Sequence, residues 1–362
     1  MSSQNPPECD EPARTKQQCW EESINETLHK KGLEATFALF AHFYATEPSF
    51  ASQGCHWYAH KIGEYVYRLF KQGKPFTLVP EVSYCGYGFF HGFMEFLLHD
   101  DPNLEHAKEF CGLVEKELSA KAPRSRINCY HGIGHGFVED PPDKRFWGNP
   151  DAMIKKSLEI CEHISPNPIE TKECSEGAFN AVILLMEQGK YGLSLEKDNF
   201  FRFCNDQPRT YRLYCYYEMA QKLDSLSNRS LPKIGEFAKT IPDDQDGHIA
   251  EMVVGTGAAA LMQSDIIKED HTDYIFACRK LGSRLALPCI KGVIGGFLAH
   301  GEPDKEYIKA LAFCRSPELL SDERSACYEH LTIRLKSIYA REKVNTICAT
   351  VEEPYRTLCQ YN

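Results

Sequence analysis

Apolar residues recur along this chain at the three-to-four-residue spacing of amphipathic helices. The segments 178–188 (AFNAVILLMEQ), 215–223 (CYYEMAQKL) and 331–341 each carry that period. Shorter apolar runs end in a cysteine: 157–161 (SLEIC), 200–204 (FFRFC), 274–278 (YIFAC) and 310–314 (ALAFC). After about ten mostly polar residues a new helical pattern opens, again on a cysteine, as at Cys215 and Cys289. Strand signals are weak. The β-like run 76–84 (FTLVPEVSY) is interrupted by Pro80 and reads as an extended connector. The polar stretch 224–232 reads as a loop. Neither divides the chain, because the pattern continues on both sides.

The cysteines act as a ruler. Aligned on the second cysteine of each pair, the pattern repeats with a period of about 40 residues. One copy lacks the cysteines. Met252 stands midway between Cys215 and Cys289, and Ile241 precedes it at the usual cysteine spacing. Both positions have become apolar together, as expected when a bonded pair is lost. The spacing therefore predicts disulfides Cys111–Cys129, Cys161–Cys174, Cys204–Cys215, Cys278–Cys289, Cys314–Cys327 and Cys348–Cys359. Cys55–Cys85 and Cys9–Cys19 complete the expected set, with Cys19–Cys55 the competing assignment. The predicted fold class is all-α: a helix-pair repeat, either an α-solenoid or an α/α toroid, stapled by disulfides. Residues 1–30 are expected to form an N-terminal capping segment, and 31–362 a single continuous α-helical repeat domain. In layout this is similar to disulfide-stapled helix-turn-helix repeat proteins and to HEAT-type solenoids, a likeness of architecture.

Composition narrows the classes. The chain has 362 residues, 43% hydrophobic and 25% charged, so it has the means to bury a core. Its formal charge of -10 gives no basic footprint for nucleic acid. No apolar run approaches the roughly 18 residues of a membrane span. The 16 cysteines without any C-x-x-C knuckle favour disulfides over zinc ribbons. That implies an oxidising compartment: secreted, periplasmic or lumenal. The N-terminal residues hold no apolar signal core, so a signal peptide is not expected within this sequence.

The chemistry lies in the first repeats. Cys85-x-x-Gly88-x-x-His91-Gly92-Phe93-x-Glu95 and Cys129-x-x-Gly132-x-x-His135-Gly136-Phe137-x-Glu139 match position for position. The helix from Cys55 carries His60 and Glu64 one residue earlier. Later copies keep the cysteine and the first glycine but replace the polar pair, as with Asn180 and Leu184. The glycines are expected to let neighbouring helices approach closely. The imidazoles and carboxylates, which the repeat itself does not require, are expected to converge. His60, His91 and His135 would bind one transition metal ion (Fe, Zn, Mn or Cu), with Glu64, Glu95 and Glu139 completing its shell. His56 and His131, one turn earlier, could join. Metal-dependent catalysis is the further expectation, with a free Glu as base. The alternative is a non-enzymatic peptide- or protein-binding scaffold whose His/Glu cluster is a structural hydrogen-bond network, and the partner expected of either is a small-molecule or peptide ligand. His248, His300 and His330 are expected at caps or the surface, and Glu176 and Glu218 in solvated turns. With every cysteine committed to a pair, a cysteine nucleophile is not expected.

Overall fold

The computed structural model describes residues 9, 15–47, 49–50, 54–139, 144–196, 199–242, 248–302 and 304–360. Among them it holds 18 α-helices and no strand. In chain order the helices are α1 (Lys16–Thr46), α2 (Cys55–Lys71), α3 (Gly88–Asp100), α4 (Leu104–Leu118), α5 (Ser125–Glu139), α6 (Pro150–His163), α7 (Pro168–Gln188), α8 (Arg202–Asp206) and α9 (Arg209–Ala220). They continue as α10 (Leu223–Leu226), α11 (Leu231–Lys239), α12 (His248–Asp265), α13 (Thr272–Arg279), α14 (Ser283–His300), α15 (Tyr307–Cys314), α16 (Ser321–Ile338), α17 (Arg341–Cys348) and α18 (Tyr355–Cys359).

One series of helices packs in order, each on the next: α2, α3, α5, α7, α9, α12, α14, α16 and α18. The others flank it. Thus α4 lies on α5, α6 on α7, α8 on α9, α11 on α12, α13 on α14 and α15 on α16. The apolar core is built from two clusters. One runs from Cys9 to Cys174 around Phe37, Phe40, Phe89, Phe93 and Phe110. The other runs from Val138 to Cys359 around Phe179, Tyr216, Phe297 and Tyr328.

All eight expected disulfides form, with Cα–Cα distances between 5.4 and 5.6 Å. Six tie a flanking helix to the helix of the main series that follows it. Closing such short loops contributes about 3 kcal/mol each in the chain-entropy view. The helices begin earlier than the apolar pattern suggests. Cys289 sits well inside α14, which starts at Ser283. Cys174 likewise follows a polar first turn in α7, opened by Pro168 and capped by the Asn167 side chain. An N-terminal turn is solvated and needs a cap rather than apolar residues, so hydrophobic periodicity misses it. Ile241 and Met252 are half-buried and pack against the same core.

Close packing of the main series follows from its glycines. A Cβ on Gly92 would stand 2.0 Å from the His60 carbonyl oxygen, and one on Gly177 would stand 1.9 Å from that of His131. A Cβ on Gly292 would stand 2.0 Å from the Gly255 oxygen. The backbones of adjacent helices touch at these levels, which brings side chains on facing turns together.

Candidate functional site

The glycine contacts fall at the depth of the histidines. With Gly88 and Gly92 against the backbones of His56 and His60, α3 cannot stand off from α2. Gly132 does the same between α5 and Phe90 of α3. Five imidazoles meet as a result: His56 and His60 from α2, His91 from α3, and His131 and His135 from α5. His91 is the hub. Its ring lies parallel to that of His135, 4.2 Å between centroids at 4°. His131 also stacks on it at 5.2 Å and 22°, while His56 at 5.2 Å and His60 at 6.2 Å meet it edge-on.

Glu95 is the carboxylate of the cluster. Its Oε1 lies 2.8 Å from His60 Nε2 and 3.0 Å from His135 Nδ1. Burial pushes this carboxyl up, but the bonds from His135 and His60 outweigh it and hold the group down at about 2. An ionised carboxylate requires protons on the two nitrogens facing it. That leaves the lone pairs of His60 on Nδ1 and of His135 on Nε2. His56 Nδ1 lies 2.8 Å from the Cys85 carbonyl, donates to it, and so keeps its lone pair on Nε2. The carbonyl is aimed by an unusual turn, in which Cys85, Gly86 and Tyr87 all have left-handed φ of 59°, 62° and 65°. Such a backbone is costly for non-glycine residues, and here it orients a side chain of the cluster.

His91 differs from its neighbours. It is 2% exposed, and both of its ring nitrogens are buried without a hydrogen-bond partner among the described residues. Desolvation drives its pKa well below the ordinary histidine value, with the other imidazoles adding to the effect. Burial likewise lowers His56 to about 4 and His131 to about 3. All three are therefore neutral at physiological pH, which is the ligand form of imidazole.

Of the six residues expected to converge, His60, His91, His135 and Glu95 do so. Glu64 does not join them. It bonds Lys61 at 3.0 Å and Arg68 on its own helix. The side chain of Glu139 lies outside the described residues. No group of three or more His, Cys, Asp or Glu among the described residues is arranged to hold a metal ion. Stacking supplies the physical reason. An imidazole lone pair lies in its ring plane, and parallel rings cannot aim two in-plane lone pairs at one point.

A second polar group continues the same wall on α7 and α9. Glu173, Glu176 and Glu218 are 7%, 5% and 1% exposed, so the expectation of solvated turns is corrected for Glu176 and Glu218. Each has partners. Lys172 Nζ lies 2.8 Å from Glu176, and Arg124 lies 3.0 Å from Glu173. Asn180 Nδ2 and Gln221 Nε2 donate to Glu218 Oε2 at 2.7 and 2.8 Å. Burial raises Glu176 to about 7 and Glu218 to about 8. The signal that could have found Glu176 is positional. It stands two residues after Cys174, as His131 does after Cys129. His330 is half-buried and desolvated to about 4 rather than a surface group, whereas His248 is exposed as expected.

No protein-family model, curated protein or solved structure matches this chain. The disulfide-rich helical fold is consistent with an extracellular scaffold. No helix among the described residues is long and apolar enough to cross a membrane.

Proposed function

We propose that this is an exported helical-repeat protein that takes up a transition-metal ion (Fe, Zn, Mn or Cu) in its histidine cluster. The observation that carries the reading is His91, whose two ring nitrogens are buried and unpartnered. A buried, unsatisfied polar group costs about 1–3 kcal/mol and calls for a bound water or ion. Around it stand imidazoles whose tautomers are already set by outer partners: His60 and His135 by Glu95, His56 by the Cys85 carbonyl. Carboxylates and carbonyls behind the ligands are the usual outer shell of a histidine metal site. Glu95 is thereby assigned to orientation rather than to catalysis, and no reaction is assigned to the site.

Binding requires rotation of the His91 or His135 ring out of its stack. That costs about 1 kcal/mol, judged by the worth of an aromatic pair. Structural zinc sites return roughly 10–16 kcal/mol, so the rearrangement is minor against the gain. Sixteen paired cysteines support an oxidising compartment and leave no thiolate to compete for the ion.

The second reading is a structural network within a non-enzymatic scaffold, and the Glu95 bridge between His60 and His135 favours it. Metal analysis of the purified protein decides between the two, with calorimetric titration of Zn(II), Mn(II) and Cu(II) and anaerobic Fe(II). The metal reading expects one equivalent per chain, lost in His91→Ala. Absence of stoichiometric metal under replete conditions leaves the network.

A further inference from the structure

A second position in the molecule has polar groups that its own chain does not satisfy. His330 and Arg334 stand one turn apart on α16 and share a face of that helix. Lys291 belongs to α14, which packs on α16. The Nε of Arg334 is buried and has no hydrogen-bond partner among the described residues. Neither Arg334 nor Lys291 has an acidic partner among them.

Other cations here also lack a carboxylate, but Arg324, the other arginine of α16 with a buried and unpartnered Nε, donates its guanidinium to the Ser316 and Leu319 carbonyls, whereas Arg334 has no such acceptor among the described residues. Cations beside the glutamates of α7 are paired. Arg124 holds Glu173 at 3.0 Å, Lys172 holds Glu176 at 2.8 Å, and Lys222 holds Glu187 at 2.8 Å. Two unpaired cations in an acid-rich protein, one with a buried orphaned donor, leave room for an anion that the protein does not supply.

We propose that Lys291, His330 and Arg334 form a subsite for the oxyanion of a small ligand, a carboxylate or a phosphate. The planar guanidinium fork matches two oxygens of either group, and the lysine adds a point charge. Desolvation, together with the charges of Arg334 and Lys291, keeps His330 neutral near physiological pH. A neutral imidazole still offers one N–H donor to an anion. Arg334 acts electrostatically on Tyr217 of α9, and so do Glu218, Glu176 and Tyr87. Tyr217 is 38% exposed. A ligand held at Arg334 would therefore extend toward Tyr217 and the carboxyl of Glu218. This inference does not depend on the metal reading.

The experiment uses the full oxidised chain in EDTA-containing buffer, which removes metal from the comparison. Calorimetric titration is run with succinate and separately with inorganic phosphate, against chloride at equal ionic strength. Binding of one equivalent of at least one oxyanion is expected, weakened tenfold or more in Arg334→Gln and in Lys291→Gln. Arg68→Gln, which alters an outer salt bridge, should bind as the parent does. The stronger arm identifies the carboxylate or phosphate class. If Arg334→Gln fails to fold, Lys291→Gln and Arg334→Lys carry the test. Absence of binding by both anions overturns the subsite, and so does binding that these substitutions leave unchanged.

Discussion

The wall made by α2, α3 and α5 and the wall made by α7 and α9 use one frame for opposite ends. Both place polar side chains shortly after the second cysteine of a disulfide, with glycine letting the helices touch. In the second wall each buried carboxyl finds a partner inside the chain, Glu170 with Arg126, Glu173 with Arg124, Glu176 with Lys172 and Glu218 with Asn180 and Gln221, and only the second oxygen of Glu170 is left over. In the first, His60, His56 and Glu95 are satisfied, but His91 at the centre is not. A self-satisfied polar wall needs no ligand to be stable. One with an orphan at its hub does, and this difference, rather than the number of histidines, supports a binding site.

The largest expected effect comes from the shared frame. Gly92→Ala puts a Cβ 2.0 Å from the His60 oxygen, and Gly292→Ala puts one 2.0 Å from the Gly255 oxygen. Backbone cannot yield as a flexible side chain does, so each should cost about 3 kcal/mol or more in denaturant unfolding. Gly92→Ala should also abolish metal uptake, while Gly292→Ala should spare it in whatever fraction folds. Equal loss of metal in both would mean that the two regions are not separable.

Removing one staple comes next. The double substitution Cys278→Ser with Cys289→Ser closes no loop and should cost about 3 kcal/mol, without altering metal content. The test is a urea midpoint measured alongside elemental analysis. A change in metal content would tie the distant staple to the histidine wall.

The two walls should respond in opposite directions to apolar replacement. His91→Leu removes two unsatisfied buried nitrogens, and in metal-free protein it should stabilise by about 1–2 kcal/mol. Glu218→Leu instead orphans donors of Asn180 and Gln221 and should destabilise by a similar amount. If His91→Leu destabilises the metal-free protein, the orphan has a partner and the binding argument loses its basis.

Much of this contrast was legible in the chain, and the rest depended on rotation and partners. Cysteine spacing was enough for the disulfides because each loop is local. The depth of His60, His91 and His135 was legible from the repeated frame. The direction of Glu64 was not. Its motif stands one residue out of register, about 100° of helix rotation, and it turns to Lys61 and Arg68. Glu176 and Glu218 resembled solvated residues because a carboxylate is buried only where partners exist. Asn180, whose proximity only the fold establishes, supplies one for Glu218, while Lys172 stands four residues before Glu176 on the same helix. The polar opening turns of α7 and α14 carry no apolar period, so the helix starts shifted.

The smallest effect per unit change is the pH dependence, and it also separates the walls. Glu218 and Glu176 have folded pKa values near 8 and 7, raised above the ordinary 4.5 by burial. A raised acid keeps its proton in the folded state after the unfolded chain has lost it. The folded state then binds more protons, and stability falls as pH rises from about 4.5 to 8. His56 and His131, lowered to about 4 and 3, act the other way. The unfolded chain protonates them first as pH drops, so their contribution to stability is lost between about 6.5 and 3. Above pH 6.5 the carboxyl effect dominates, and each proton retained by Glu176 or Glu218 adds a slope of at most about 1.4 kcal/mol per pH unit. Unfolding of metal-free protein between pH 6.5 and 8.5 should therefore show declining stability, and Glu218→Gln should flatten the decline while keeping an acceptor for Asn180. A profile that stays steep in Glu218→Gln would assign the retained proton to another group.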